Sequence, residues 1–263
     1  MKIIVLIKQV PDMASVKFDA ERGAVDRTSA GAEINPFDLN ALEAAVRIRE
    51  ELGGSVTALS MGPLGAEAAL REAVARGADD GVLLSDKQFG GSDTLATSRT
   101  LAAGVKKLGG FDLIIAGTQT VDGDTGQVGA EVAELLGVPH IGCVCAIEEI
   151  GEGMITAVSD MSGSYFKKAA LPALITVTRD LNAPRLPSLK SKLNARKTKI
   201  IMWGLNDLAG FLDESQTGSS GSPTRVAGIE IPPAHSRDGK IYRRYAGEAE
   251  SVLLDMLREK KIL

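Results

Sequence analysis

Histidine, cysteine and aromatic residues are scarce in this 263-residue chain, which holds two His, two Cys, one Trp and 4% aromatics. With His140 and His235 as the only imidazoles, and neither in a recognisable nucleophile motif, a Ser/His/Asp or Cys/His mechanism has little to build on. Cys143 and Cys145 exclude a disulfide framework and fit a reducing cytoplasm. At i and i+2 of a strand-like run, both should leave the same face. No further ligands cluster near them, so they read as small buried apolar residues rather than metal ligands. G-x-x-x-x-G-K-[ST] and G-x-G-x-x-G are both missing, so any phosphate site must be built without a P-loop or a standard dinucleotide fingerprint. No apolar stretch is long enough to span a bilayer. The opening MKIIVLIKQVPD has an apolar run of only five residues before Lys8 and no small-residue cleavage site, which argues against a signal peptide. A net charge of -4 gives no global sign of nucleic-acid or membrane-surface binding.

What is present points to an α/β fold. The 44% apolar content suffices for a full core, and the first two-thirds alternate short β-branched runs with helix-patterned ones, the mark of parallel βαβ units. Ile3 to Ile7, Val56 to Met61, Val82 to Leu84 and Leu113 to Ala116 read as strands. Asn35-Pro36 opens a helix that closes at Gly53-Gly54. Glu67 to Arg76 forms another, Ser92 or Asp93 caps a third, and a fourth starts near Thr125. Gly142 to Ile147, Met154 to Val158 and Ala173 to Thr178 come without helices between them, so the sheet should gain antiparallel strands. The expectation is a mainly parallel, doubly wound sheet with added antiparallel strands and a C-terminal arm. A nucleotide-binding domain would span 1–200, and an extension ending in an amphipathic helix, Gly247 to Lys260, would span 201–263.

Three loops leave the carboxyl ends of these strands, where ligands of open α/β sheets bind. GTQTVDGDTGQVG, Gly117 to Gly129, joins glycines to a helix start whose N–H groups favour an anion, with Thr125 and Gln127 as further donors. A Gly/Asp-rich turn that merely caps a helix remains open, and Asp122 and Asp124 oppose a phosphate unless they face sugar hydroxyls or a base. FGGSDTLATS, Phe89 to Ser98, suits a second phosphate or a ribityl chain, or is an ordinary N-cap. SMGP, Ser60 to Pro63, could line the same cleft.

Pro184 to Lys199 carries six cations and no acid. It lacks the interleaved aromatics of a nucleic-acid site, and Leu186 and Leu189 among cations suit protein docking; a solvated connection is the alternative. TGSSGSP, Thr217 to Pro223, reads as a flexible loop.

KQVPD at Lys8 to Asp12, NPFDLNALEAA at Asn35 to Ala45, MGP at Met61 to Pro63, RGADDGVLL, DGDTGQVG at Asp122 to Gly129, LPALITVT and LNAPRLPSL together resemble the electron-transfer flavoprotein beta subunit, over essentially the whole chain. The resemblance implies an adenine-nucleotide-binding α/β fold and an alpha-subunit partner carrying an FAD. It also implies a cleft that holds AMP in simple carriers or a second FAD in bifurcating ones. It matches Ile7, Asn35 and Met61 to the adenosine side and Gly123, Asp124, Thr125, Gly126, Gln127 and Val128 to the phosphate loop. Gly126 and Val128 depart from the simple mitochondrial-type carriers. FGGSDTLATS and GSPTRV are similar to the bifurcating branch of anaerobes, in which NADH gives a hydride to the beta-subunit flavin. One electron then goes to ferredoxin or flavodoxin, and the other through the alpha flavin to an acyl-CoA or hydroxyacid dehydrogenase. Thr94, Thr97 and Thr224 would contact the flavin. The loop with Pro187 and Leu189 matches the dehydrogenase-recognition loop, and the terminal helix would wrap the partner or pack on its own domain.

Overall fold

The structure, a computed structural model, describes residues 1–12, 17–19, 24–26, 31–225, 227 and 249–263. Val226, His235 and the expected helix start at Gly247 lie outside them. The chain divides into two compact units, Met1–Ala227 and Gly228–Leu263.

In the first unit β1 (Lys2–Leu6) is followed by two short antiparallel ribbons. β2 (Gln9–Pro11) pairs with β5 (Ala32–Ile34), and β3 (Lys17–Asp19) with β4 (Ala24–Asp26). Then come α1 (Pro36–Leu52), β6 (Ser55–Met61), α2 (Glu67–Ala75), β7 (Asp80–Leu84), α3 (Thr94–Leu108), β8 (Leu113–Gly117) and α4 (Val128–Leu136). Four strands follow in sequence, β9 (His140–Gly151), β10 (Met154–Asp160), β11 (Ser164–Ala170) and β12 (Ala173–Val177), and then α5 (Leu189–Ala195) and β13 (Ile201–Trp203). In the second unit α6 (Ala249–Glu259) carries Val252, Leu253, Met256 and Leu257 at helical spacing. Among the described residues no helix is long and apolar enough to cross a membrane.

The nine-stranded sheet has the order β11-β10-β9-β12-β8-β1-β6-β7-β13. β1 is parallel to both β6 and β8, and β12 is parallel to β8 and β9, while β10 runs antiparallel to β9 and β11. The parallel core and the antiparallel addition therefore agree with the sequence expectation. β1 is buried on both faces. Ile3 and Val5 pack with the α1 and α2 residues Leu42, Val46 and Leu70, whereas Ile4 and Leu6 pack with Leu101, Val105 and Val132 of α3 and α4. Period-two alternation in a strand covered by helices on both sides produces these two cores.

Several findings depart from the sequence reading. β11 and β13 were not expected, and β13 extends the sheet by pairing Ile201 to Trp203 with Val82 to Leu84. Residues 201–227 also belong to the first compact unit. Cys143 takes a left-handed φ of 53° beside a register irregularity, which breaks regular alternation, and both cysteines are half-buried rather than buried.

From β1 the chain moves to β6 and β7 on one side, then crosses to β8 on the other. β1 and β8 therefore flank a topological switch point, and a crevice opens beyond their carboxyl ends.

Candidate functional site

The cleft at this switch point has a volume of about 900 Å³, near the upper end for small-molecule and cofactor sites. Its floor is set by Asp38, in the first turn of α1. One carboxylate oxygen accepts the N–H of Lys8, just past β1, at 2.7 Å. The other accepts the N–H of Gly117, at the end of β8, at 3.2 Å, and the amide of Asn35 at 3.0 Å. Gly117 is required there, because a Cβ would lie 2.4 Å from that second oxygen. Burial pushes the Asp38 pKa up to about 7, outweighing the hydrogen bonds from Asn35, Lys8 and Gly117 and the charge of Lys8.

Asn35 precedes Pro36 as a capping residue should, yet its side chain makes no cap hydrogen bond. Its amide instead donates to the Gln119 carbonyl at 2.9 Å, and its oxygen accepts the Val121 N–H at 3.2 Å. Fully buried, Asn35 lies behind the loop it holds and does not line the cleft.

That loop is the glycine-rich one after β8. Gly123, Thr125, Gly126, Gln127, Val128 and Gly129 line the cleft. The helix begins at Val128 rather than near Thr125, and Asp124 and Gly126 take left-handed φ values of 53° and 64°. No side chain caps α4; the N–H groups opening it are left for a ligand, with the positive end of the helix dipole behind them. Asp122 and Asp124 are absent from the lining. Asp122 pairs with Lys8 at 2.8 Å. Burial opposes its ionisation, but the Lys8 hydrogen bond and charge, with Thr120, hold its pKa below the ordinary value. Asp124 is engaged by the Gln119 amide. Both carboxylates that opposed an anion site are thus occupied, Asp122 by Lys8 beyond β1 and Asp124 by Gln119 within the loop.

The opposite wall combines Gly91 to Leu95 and Thr97 with Pro223 and Thr224, and Met61, Phe89 and Leu101 supply apolar surface. Here the helix start is taken. Asp93 caps α3 by accepting the Ala96 N–H at 3.0 Å. Burial disfavours its charge, yet bonds from Ala96 and Thr224 keep its pKa below the ordinary value. A carboxylate where an anion would sit counts against a second phosphate at this loop, whose helix start is the ordinary N-cap that the sequence also allowed.

The segment after Gln216, expected to be flexible, is tied down. Gly218 donates its N–H to Ser92 Oγ at 3.1 Å, Ser219 N–H to the Gly90 carbonyl at 3.1 Å, and Asp93 N–H to Ser222 Oγ at 2.8 Å. Thr217 and Ser222 are buried. Composition suggested mobility; hydrogen bonds to a loop far away in sequence impose order.

Ile7, Met61, Thr94, Thr97 and Thr224 all line the cleft with the phosphate-loop residues. Lys8, Asp38, Thr118 and Glu131 are further lining residues that the sequence reading missed. Thr118 Oγ1 is buried without a hydrogen-bond partner, which leaves it a bond that a ligand would supply.

Pro187 and Leu189 lie apart from this lining. Arg71 donates to the Ala195, Arg196 and Thr198 carbonyls, and Arg76 to that of Arg185, while Arg185 pairs with Glu43 at 2.8 Å and Glu50 at 2.6 Å. Leu186 and Leu189 project with 85% and 75% of their surface exposed. The basic arm is thus an anchored platform bearing three exposed leucines, Leu186, Leu189 and Leu193.

Fold and cleft together define a doubly wound α/β protein with a cofactor-sized site at its switch point. The chain belongs to the electron transfer flavoprotein family, since residues 22–208 match the electron transfer flavoprotein domain and relatives matched over their full length include electron transfer flavoprotein beta subunits. It is 40% identical to the electron transfer flavoprotein subunit beta of Thermoanaerobacterium thermosaccharolyticum over 264 positions, covering 100% of both chains. It is 40% identical to that of Megasphaera elsdenii over 269 positions, covering 100% of this chain and 98% of the relative. It is 39% identical to the caffeyl-CoA reductase-Etf complex subunit CarD of Acetobacterium woodii over 264 positions, covering 100% of both.

Proposed function

We propose that this chain is the beta subunit of a cytoplasmic heterodimer in which the cleft holds FAD for NADH-dependent electron bifurcation. Its partners would be an alpha subunit with a second FAD, ferredoxin or flavodoxin as low-potential acceptor, and an acyl-CoA or hydroxyacid dehydrogenase. The observation that carries the reading is the cleft itself, which joins an uncapped helix start suited to phosphate to a second polar wall of threonines, with apolar surface between.

Bound FAD supplies the exchange of a hydride with NADH and of single electrons with the acceptors. The chain's own part is to bind and orient. Gly123 to Val128 would hold the pyrophosphate through backbone N–H groups. Ile7 and Met61 would face the adenosine side, and Thr94, Thr97 and Thr224 the ribityl chain and ring. Asn35 would act from behind, by fixing the loop. The names of two relatives, the caffeyl-CoA reductase-Etf complex subunit and an acryloyl-CoA reductase electron transfer subunit from Anaerotignum propionicum, 35% identical, support an acyl-CoA-reducing partner. The exposed Leu186 and Leu189, ringed by cations, would be its docking point.

The test is coupling. With the purified heterodimer, ferredoxin and the cognate dehydrogenase, NADH oxidation should reduce ferredoxin only while the dehydrogenase substrate is also being reduced. Full turnover with either acceptor alone would refute bifurcation.

A further inference from the structure

Side chains of α1 and α2 grip the basic arm at both of its feet. At the first foot Asn40 donates to the Asn182 carbonyl and Arg76 to that of Arg185, each at 2.6 Å. Glu43, with only 4% of its surface exposed, accepts the N–H of Arg185 at 3.1 Å, its Nε at 2.8 Å and its Nη2 at 3.3 Å. Glu50 takes the other side of the same guanidinium at 2.6 and 2.9 Å. At the second foot Arg71 donates to the Ala195, Arg196 and Thr198 carbonyls. Between the feet stand Leu186, Leu189 and Leu193, all exposed, the last two one turn apart on α5.

The cations of the arm divide into two kinds. Among the described residues Arg185 is the one cation of 184–199 that pairs with carboxylates, whereas Lys190, Lys192, Arg196, Lys197 and Lys199 have no acidic partner. Burial opposes the ionisation of Glu43, yet bonds from Arg185 and Arg47 hold its pKa below the ordinary value. Desolvation offsets most of the Coulombic gain of such a pair, so net stability is a poor reason for it. What it does fix is geometry: a planar guanidinium bound along two edges, with its own main-chain N–H on the same carboxylate, leaves the residue just before Leu186 a single position.

We propose that Glu43 and Arg185 are positioning residues of the docking surface, holding the arm in the one shape that presents Leu186, Leu189 and Leu193 together, while the five unpaired cations steer a partner with an acidic rim. The inference rests on the reading of the arm as the dehydrogenase docking point. A loop already held in its bound shape loses less conformational freedom on association. The inward pair therefore sets how long the complex lasts, and the outward cations set how fast it forms and how it responds to salt. Neither Glu43 nor Arg185 lines the cleft, so cofactor binding is separate from this role.

The experiment uses the whole heterodimer with its cofactors and an acyl-CoA dehydrogenase to which the wild-type heterodimer passes electrons, with the transfer rate followed against dehydrogenase concentration at several salt concentrations. Arg185→Met and Glu43→Gln should each raise the half-saturating concentration about tenfold or more, with the maximal rate, the cofactor content and the salt dependence unchanged. Glu50→Gln, at an exposed position, should keep the fold and raise it about threefold. Replacing Lys190 and Lys192 with Ala should instead flatten the salt dependence. Wild-type half-saturation in Arg185→Met and Glu50→Gln, with a lowered unfolding free energy alone, would reduce the pair to a stability role and overturn the inference; if Arg185→Met does not fold, Glu50→Gln decides. Wild-type half-saturation after Leu186, Leu189 and Leu193 are all replaced with Ala would overturn the docking reading itself.

Discussion

Asn35 and Asp38, joined at 3.0 Å, connect the two halves of the site, because the same asparagine amide also reaches the Gln119 carbonyl and the same carboxylate receives the chain ends of β1 and β8. The pair converts the geometry of the sheet edge into the shape of the loop.

Asn35→Ala should therefore act on ligand retention and on stability together. It leaves the Val121 N–H and Gln119 carbonyl unpartnered in a partly buried place, at a cost of about 1–3 kcal/mol. Denaturant unfolding of the variant should show that loss, and cofactor content after purification should fall. Unchanged retention would mean that the loop keeps its form without Asn35.

Asp38 should give stability a pH dependence of unusual sign for a carboxylate. Its pKa is raised from 3.8 to about 7 in the folded chain, mainly by burial. The folded state thus holds this proton more tightly than the unfolded state. The contribution is fully present below the unfolded value, declines as pH rises, and is lost through about pH 7. The span is roughly 4 kcal/mol, at 1.36 kcal/mol per pKa unit. Asp122 and Glu43, whose pKa values are lowered, act in the opposite direction. Subtracting the Asp38→Asn profile from wild type isolates the effect; the difference should change between about pH 4 and about pH 7 and be flat above.

Gly126→Asp should abolish retention of the cleft's nucleotide. The position has a φ of 64° and room for a side chain, since the nearest atom to an added Cβ would be the Thr118 carbonyl oxygen at 3.5 Å. Asp is among the residues that tolerate this region. The fold should survive while a carboxylate enters the anion site at the start of α4. A folded variant with full cofactor content would remove the phosphate-loop assignment.

Replacing Leu186 and Leu189 with Ala should separate docking from cofactor binding. Both side chains are exposed and lie outside the cleft lining, so stability and cofactor content should stay at wild-type levels. Electron transfer to the dehydrogenase should need a higher concentration of that partner, by tenfold or more if these residues are the anchors. Wild-type transfer at low dehydrogenase concentration would place the docking surface elsewhere.

Much of the fold was legible because the parallel core obeys local rules. Asn35-Pro36 and Gly53 mark α1, Asp93 marks α3, and β-branched runs mark β1, β6, β7 and β8. β11 was missed because SYFKKAA is an edge strand with two lysines and little apolar alternation, and β13 because three residues after a basic stretch carry no period. The site was legible where chain-local glycines and hydroxyls line the cleft. Asn35 looked like a ligand contact or a cap because sequence gives position and not the direction of a side chain. The order of 217–224 depends on partners at 90–93, a pairing that composition does not encode.

The most direct test of the central claim is to purify the chain with its alpha partner, release the cofactors by denaturation, and count FAD and AMP per heterodimer by chromatography. An FAD in this cleft predicts two FAD and no AMP; one FAD with one AMP would contradict it.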